Sequence, residues 1–401
     1  MKRTRIGAID VGTTKVCTIM ADCEGNGGLR ILGVGIAPSY GLQKGMVANV
    51  NEAKESIRES IRRAERVAGY RLESAYVGIT GRHISSVNNR GVVAITRNDQ
   101  LVRTQDLRRV LDVARSIKVP TEQRVLHIIP RTYAIDGQEG VKNPVGMHGF
   151  RLDVETHIIT AAVTSVQNLT KCIRGVGIEI DDLVMEPLAS AEAVLSEEER
   201  QDGVMLADIG GGTTDIAIFK ENTIYHTSVL PVAGYQITRD ISIGMGLSYE
   251  LAEEMKKKYG DVTPNREDGD DAERTLTEDG HSVSYRDLSE IIRLRVEELL
   301  RLIVLELPHT SQAKLIPSGL VLTGGSAKLP GIAELGQEVT HLPVRVGAPS
   351  DLYGVSDTLC DPAYATAVGL ILWKIRNQDA QSQTSESSLR RILSRIFRLF
   401  R

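Results

Sequence analysis

The stretch of sequence that decides the fold reads Met205-Leu206-Ala207-Asp208-Ile209-Gly210-Gly211-Gly212-Thr213-Thr214-Asp215-Ile216-Ala217-Ile218. Two apolar runs flank a short segment of glycine and threonine, which is the pattern of two strands joined by a tight turn. Glycine permits positive φ and lets the backbone approach a ligand closely, so consecutive N–H groups can face a phosphate. The stretch therefore predicts a hairpin whose turn is suited to phosphate binding.

The same arrangement occurs near the N-terminus, where strand-like residues 6–9 and 16–20 flank the turn Asp10-Val11-Gly12-Thr13-Thr14. Two copies of one hairpin in two halves of a chain indicate an internal duplication. Each turn offers backbone N–H donors, threonine hydroxyls and an aspartate that can hold Mg²⁺, usually through water. Either turn alone could be an ordinary hairpin, but two copies favour a nucleotide site. Neither contains the GxxxxGK[ST] pattern of a Walker A loop.

A third glycine turn, residues 322–331, follows a strand predicted over residues 319–322. Taken alone it could be a simple strand-to-helix turn. Two further segments are rich in small residues, Glu186-Pro187-Leu188-Ala189-Ser190-Ala191 and Pro362-Ala363-Tyr364-Ala365-Thr366-Ala367-Val368-Gly369. Small residues allow two helices to cross closely, as ordinary packing or at a hinge between the two halves.

These five segments, in this order, resemble the motifs of the actin/Hsp70/sugar-kinase superfamily. The resemblance implies an α/β fold of the actin-like (ribonuclease H-like) type, duplicated, with a nucleotide cleft between its halves and with ATP and Mg²⁺ as cofactors. It implies a water-mediated metal site at Asp10 and Asp208. The implied nucleotide contacts in the three turns are Asp10, Gly12, Thr13, Thr14, Lys15, Asp208, Gly210, Gly211, Gly212, Thr213, Thr214, Asp215, Gly324, Gly325 and Ser326.

The same resemblance implies functional roles for three charged residues. Glu253 and Lys256 lie in a segment similar to the one from which bacterial actins and Hsp70 contact ribose and base, although i,i+3 charges are also usual on a solvated helix face. Glu186 begins a Glu-Pro-x-Ala motif, where related proteins position the attacking water; a carboxylate at a helix start is also favoured by the helix dipole. The expectation is at most slow ATP hydrolysis.

The order of the superfamily motifs along the chain predicts its division into domains. Residues 84–165 show strand-like pieces, at 92–96, 124–133 and 155–163, around one helix, which predicts an α+β subdomain (1C) inserted into the first half. Residues 264–284 are acidic and predict a mobile surface loop. The remaining predicted segments are domain 1A (1–83, 166–200 and 360–376), domain 2A (201–234 and 316–359), domain 2B (235–315), a flexible linker (377–386) and an amphipathic membrane-targeting helix (387–401).

The amino-acid composition limits the classes of function that are expected of the chain. Hydrophobic residues make up 41% and charged residues 25% of the 401, with a net charge of -4, so nothing global attracts nucleic acid. The four cysteines show no CxxC spacing, which favours a reducing compartment. No apolar run approaches the ~20 residues of a transmembrane helix. Any membrane contact is therefore expected to be peripheral.

The last fifteen residues have the pattern of an in-plane membrane helix. The apolar residues recur at helical spacing and form one face: Leu389, Ile392, Leu393, Ile396, Phe397 and Phe400. The opposite face carries Arg390, Arg391, Arg395 and Arg398, with Ser394 among them and no acidic side chain in the segment. Such a helix favours the surface of an anionic membrane. Docking onto its own domain or a partner is the alternative.

The position of the insertion, the tail and two stretches, residues 7–16 and 76–84, resemble the FtsA family of bacterial cell-division proteins. The resemblance implies actin-like filaments at the division site, on the cytoplasmic face of the inner membrane. It implies anchoring of FtsZ through its C-terminal tail, on domain 2B, and recruitment of later division proteins. An ATP-dependent enzyme of the same superfamily, a small-molecule kinase or an efficient ATPase, is the alternative.

Overall fold

The computed structural model describes residues 4–23, 29–263, 274–308, 315–355 and 357–376. The strands are β1 (Thr4–Val11), β2 (Lys15–Cys23), β3 (Leu29–Pro38), β4 (Leu42–Gln43), β5 (Met46–Val47), β6 (Ser74–Ile79), β7 (Ile84–Ala94), β8 (Gln123–Ile135), β9 (Gln138–Val141), β10 (Arg151–Ala162), β11 (Glu179–Met185), β12 (Val204–Ile209), β13 (Thr214–Lys220), β14 (Thr223–Leu230), β15 (Thr275–Glu278), β16 (His281–Ser284), β17 (Leu320–Thr323), β18 (Val344–Val346) and β19 (Tyr353–Gly354).

The α-helices that the structure describes alternate with these strands. They are α1 (Val50–Ala68), α2 (Thr104–Arg115), α3 (Val163–Arg174), α4 (Glu186–Val194), α5 (Glu197–Asp202), α6 (Gly234–Met245), α7 (Tyr249–Tyr259), α8 (Tyr285–Leu305), α9 (Ile332–Thr340) and α10 (365–376). Among the described residues, no helix is both long enough and apolar enough to cross a membrane. The predicted linker and the amphipathic tail lie outside the described residues.

The two halves of the chain are built on sheets of the same topology. The first sheet has the order β3-β2-β1-β6-β11, with β19 beyond β3, and the second has the order β14-β13-β12-β17-β18. In each, three antiparallel strands are followed by two strands parallel to the first of the three. The internal duplication predicted from the two hairpins is confirmed.

Helix α1 shows how the sequence directs the local structure. The Asn49 side chain accepts hydrogen bonds from the first helical N–H groups, and Gly69 ends the helix in the left-handed conformation at φ 76°. The apolar face is buried on β3. A Cβ at Gly35 would stand 1.9 Å from the carbonyl oxygen of Ser60, so the helix and the strand approach more closely than any other residue would allow.

The helices α4 and α10 cross in contact between the two sheets. A Cβ added to Gly369 would lie 1.8 Å from the carbonyl oxygen of Ala189. Beside this crossing, the hydroxyls of Ser190 and Thr366 are 2.9 Å apart. The prediction that small residues bring these two helices close together is confirmed, whereas a hinge motion there stays a prediction.

The insertion in the first half is a four-stranded antiparallel sheet of order β7-β10-β8-β9, with α2 packed on one face. It contacts both halves. His127 of β8 accepts a hydrogen bond from the backbone N–H of Met185 at 3.1 Å and lies edge-on to the ring of Trp373. His157 of β10 is 2.9 Å from the hydroxyl of Thr227 in the second half. The insertion therefore bridges the two halves outside the α4–α10 crossing.

Two expectations from the sequence are wrong. Residues 275–284 do not form a loop, because β15 and β16 pair as a hairpin whose turn residues, Asp279 and Gly280, both have positive φ. Asp-Gly is a strong signal for this turn, and the acidic character of the segment concealed it. The first strand of the insertion, expected over 92–96, begins at Ile84. Its polar residues include Ser86, which donates to the carbonyl of Thr227.

Candidate functional site

A cleft that is partly open to solvent lies where the two glycine turns meet. It is lined by Asp10, Gly12, Thr13, Thr14, Lys15, Thr80, Glu186, Asp208, Gly210, Gly211, Gly212, Thr213, Asp215, Gly324, Gly325, Ala363 and Thr366. Residues of both hairpins, of the third glycine turn and of both connecting helices thus surround one space. The structure brings together most of the nucleotide contacts expected from the sequence.

The two hairpins place equivalent residues at the cleft. Asp10 lies opposite Cys17 near the end of β1, and Asp208 lies opposite Asp215 near the end of β12. In the second turn, the N–H of Gly210 donates to the carbonyl of Thr213 at 2.9 Å. In each hairpin, an aspartate therefore occupies the next-to-last position of the strand before the turn. Because the two hairpins have the same geometry, both aspartates line the same cleft.

The two turns touch each other across the cleft. A Cβ at Gly211 would stand 2.3 Å from the Thr14 methyl carbon, and one at Gly212 would stand 2.6 Å from the Thr13 hydroxyl. Both distances are far below van der Waals contact. Glycine is required at these positions because the halves approach through their turns, a reason that the sequence pattern alone does not reveal.

Asp208 is held by both connecting helices. Its Oδ2 atom accepts hydrogen bonds from Ser190 of α4 at 2.6 Å and from Thr366 of α10 at 3.0 Å. This carboxylate therefore connects the second phosphate turn to the helix crossing. Neither Ser190 nor Thr366 was assigned a site role from the sequence.

Four carboxyl groups are buried in the cleft: Asp10, Glu186, Asp208 and Asp215. Burial raises the pKa of Asp10 to about 6 and that of Asp215 to about 7, and it raises the pKa of Asp208 and, well above the ordinary value, that of Glu186. The neighbouring carboxylates add to three of these shifts, whereas Lys15 opposes those of Asp10, Glu186 and Asp208. Burial and mutual repulsion therefore oppose ionisation of these carboxyl groups, and nearby positive charge favours it.

Thr80 connects the two halves at the floor of the cleft. Its hydroxyl donates to Oδ1 of Asp215, and Thr213 donates to Oδ2 of the same carboxylate at 3.0 Å. Thr80 comes from the first half, at the end of β6, and was not among the expected site residues. Its signal was present in the 76–84 stretch, which contributed only to the family resemblance.

The third glycine turn packs on the second phosphate turn. Gly324 has φ 86°, and a Cβ there would stand 2.4 Å from Oδ1 of Asp208. The hydroxyl of Ser326 donates to the carbonyl of Gly210 at 3.0 Å. Gly324 and Gly325 line the cleft, whereas Ser326 stabilises the turn beside it.

Besides Ser326, three further expected contacts lie beside the cleft rather than on its lining. Thr214 donates to the carbonyl of Val232 at 2.7 Å. Glu253 and Lys256 form an ion pair of 2.6 Å, and Lys256 also donates to Thr238 at 2.8 Å and to the carbonyl of Gly234 at 3.3 Å. The N–H of Gly234 in turn donates to Gly210, which links this pair to the phosphate turn.

Glu186 is the first residue of α4 and lines the cleft with its side chain buried. A Cβ at Gly78 of β6 would stand 3.3 Å from the Glu186 Cγ, so the strand leaves just enough room for this side chain. Interaction with the helix dipole alone does not require a carboxyl group to line a cleft. The position therefore fits a group that contacts a bound ligand.

Two family models match the chain. The model described as "Cell division protein FtsA" matches residues 205–369, and the model described as "SHS2 domain inserted in FTSA" matches residues 81–160. The second match covers the insertion seen in the structure. The predicted inserted subdomain is confirmed.

Curated relatives match over almost the whole chain. The cell division protein FtsA of Pseudomonas aeruginosa is 42% identical over 394 residues, which cover 96% of this chain and 92% of the relative. FtsA of Escherichia coli strain K12 is 37% identical over 380 residues, which cover 92% of this chain and 90% of the relative.

Solved structures show the same fold at low identity. A PilM–PilN type IV pilus biogenesis complex matches with a TM-score of 0.68 at 19% identity, covering 93% of this chain and 99% of that one. MreB5 of Spiroplasma citri bound to ADP matches with a TM-score of 0.57 at 14% identity, covering 94% and 98%. At these identities the likeness concerns the fold alone, and it confirms the predicted actin-like α/β architecture.

Proposed function

The chain belongs to the FtsA family of cell division proteins, and on that premise we propose that it is an ATP-binding scaffold of the division machinery. It polymerises as actin-like filaments on the cytoplasmic membrane at the division site, anchors FtsZ filaments there and recruits later division proteins. The observation that carries the nucleotide part is the meeting of two glycine turns, one from each half, over four buried carboxyl groups.

The residues of the cleft fit ATP with Mg²⁺. Mg²⁺ prefers oxygen ligands, keeps several waters and is held by one or two carboxylates together with substrate phosphates. Asp10 and Asp208, one from each half, would hold the ion through water. The ion, when bound, neutralises phosphate charge. Gly12, Gly211 and Gly212 permit the close approach of the phosphates.

We expect Asp208→Asn to weaken ATP binding about tenfold in the presence of Mg²⁺ and to leave it nearly unchanged in EDTA. The amide oxygen can still accept from Ser190 and Thr366, but the charge that faces the ion is lost. Calorimetric titration with ATP measures both conditions. Asp112→Asn, on the exposed face of α2, is the matched control. Equal Mg²⁺-dependence in parent and Asp208→Asn would contradict the metal assignment.

Glu186 is the residue we propose to position the attacking water in a slow hydrolysis. We expect Glu186→Gln to lower the single-turnover rate about 100-fold while ATP affinity stays within twofold of the parent. The carboxamide keeps the volume of the side chain but cannot accept a proton. Hydrolysis at the parent rate would exclude this role.

The same measurement separates the scaffold from the alternative, an enzyme of the same superfamily. A small-molecule phosphotransferase typically turns over ~1–100 times per second. A scaffold whose assembly is controlled by its nucleotide requires only that ATP hydrolysis be slow compared with filament assembly. A parent rate in the range of a kinase would favour the enzyme.

We propose domain 2B as the surface for the FtsZ C-terminal tail. Its helices α6 and α8 pack together and expose apolar side chains, with Ile243 71% and Leu294 60% accessible. Tyr235, at the start of α6, is also exposed and lies against Tyr249, with ring centroids 5.3 Å apart. Exposed aromatic and aliphatic residues are typical of a peptide-binding surface.

A further inference from the structure

A second, smaller cavity adjoins the nucleotide cleft. Thr80 and Glu186 line both spaces. Its other polar side chains are His83 and Ser165, and the remainder of the lining is apolar side chains and glycine backbone. The cavity has room for about one water molecule.

His83 is an imidazole without an evident partner. Both of its ring nitrogens are buried, and neither forms a hydrogen bond with any residue that the structure describes. Buried polar groups in proteins are almost always paired, with ordered water where no protein group is in reach. A water molecule in the adjoining cavity would satisfy one or both nitrogens.

Close packing of backbone holds the His83 ring in place. Gly81 has φ 130°, and a Cβ there would stand 2.8 Å from Nδ1 of His83. Gly45, in the β4–β5 turn, has φ 72°, and a Cβ there would stand 2.9 Å from the Thr80 methyl carbon. Two positive-φ glycines thus pack closely against the side chains of His83 and Thr80. The ring is positioned by shape, and its nitrogens are left for another group.

The chemistry of the cavity favours water over an anion. Burial lowers the pKa of His83, so the ring is neutral near pH 7 and offers one donor and one acceptor. The other polar groups are hydroxyls and the carboxyl of Glu186, which do not attract a negative charge. Water can donate to one group and accept from another, as this set requires.

We propose that a buried water in this cavity bridges His83 and Glu186, and that His83 is thereby a positioning residue for the Glu186 carboxyl. The imidazole and its water hold the carboxyl in the orientation from which it contacts the attacking water in the cleft. This inference rests on the proposed hydrolytic role of Glu186.

The test compares full-length parent, His83→Leu, His83→Gln, Glu186→Gln and the Glu186→Gln/His83→Leu pair. We expect His83→Leu to lower single-turnover ATP hydrolysis about tenfold, as loss of a supporting partner typically does, with ATP affinity unchanged. Its melting temperature should stay close to that of the parent, because leucine keeps apolar packing in place of the ring and a single water-mediated contact is lost. His83→Gln should recover most of the rate, since an amide can both donate and accept.

The double variant identifies the route. If His83 acts through Glu186, adding His83→Leu to Glu186→Gln lowers the rate no further. His148→Leu, at an exposed histidine of the insertion, is the matched control and should behave as the parent in every assay. If His83→Leu lowers both the melting temperature and the rate of ATP hydrolysis, the hydrolysis rate of His83→Gln decides whether the proposal holds. A His83→Gln rate no higher than that of His83→Leu overturns it.

Failure of this inference differs from failure of the proposed function. Parent-like hydrolysis by His83→Leu alongside slow Glu186→Gln overturns the role of His83 and leaves that of Glu186. Parent-like hydrolysis by Glu186→Gln removes the premise. A crystal structure of the ATP complex at a resolution that shows waters then decides the bridge itself. A water within hydrogen-bond reach of both side chains supports it, and a dry cavity overturns it.

Discussion

Gly211→Val is expected to abolish ATP binding. A Cβ alone would stand 2.3 Å from the Thr14 methyl carbon, and the branched valine adds two more carbons at the point where the two phosphate turns meet. The side chain must separate the halves or occupy the space of the phosphates. A loss of about 100-fold in affinity, or about 2.8 kcal/mol, is the smallest effect that we expect. Calorimetric titration with ATP and Mg²⁺ measures it.

A compensating substitution makes this test specific. Gly211→Ala alone should weaken binding, and adding Thr14→Ser should restore much of it, because serine lacks the methyl carbon that the new Cβ meets. Gly246→Asn is the control, since Gly246 ends α6 at φ 64° with no atom within 4 Å of an added Cβ, and asparagine tolerates that conformation. If Gly211→Val bound ATP as tightly as the parent, the cleft would not be the nucleotide site.

Removal of the tail after Glu386 is expected to abolish binding to anionic vesicles. Each arginine near an anionic leaflet contributes ~1 kcal/mol, and the apolar face adds insertion energy. Phe397→Glu should have nearly the same effect, because it places a charge at the centre of that face. We expect one such predicted helix to bind reversibly, and we expect a filament that aligns many of them to be held at the membrane by avidity. Co-sedimentation with vesicles measures all three proteins.

The control for the tail is Ser394→Gln, which changes a residue of the polar face and should pellet with lipid as the parent does. The experiment is done with ATP and without it, and electron microscopy of the same samples shows whether filaments form. Equal pelleting of parent, truncation and Phe397→Glu would exclude the tail as the anchor. Loss of pelleting without loss of filaments would show that assembly and anchoring are separate properties of the chain.

Local pattern carried the sequence predictions that the structure and the comparisons confirm. The two hairpins and the small residues of the α4–α10 crossing both depend on neighbours within a few positions. Periodicity and turn chemistry report such features directly. The hairpin at Asp279 and Gly280 is also a local feature, but it lies in an acidic segment whose composition is typical of a loop.

What the sequence determined by itself is the duplicated α/β fold, the inserted subdomain and the residue types that would bind phosphate. Only the tertiary structure decided which groups meet. Thr80 donates to Asp215 across 135 positions of sequence, and Thr366 donates to Asp208 across 158. The contact of Gly211 with Thr14 and the isolation of His83 beside Glu186 are of the same kind. Such contacts depend on how the two sheets and their crossing helices pack. No local sequence pattern predicts a contact between residues so far apart in the chain.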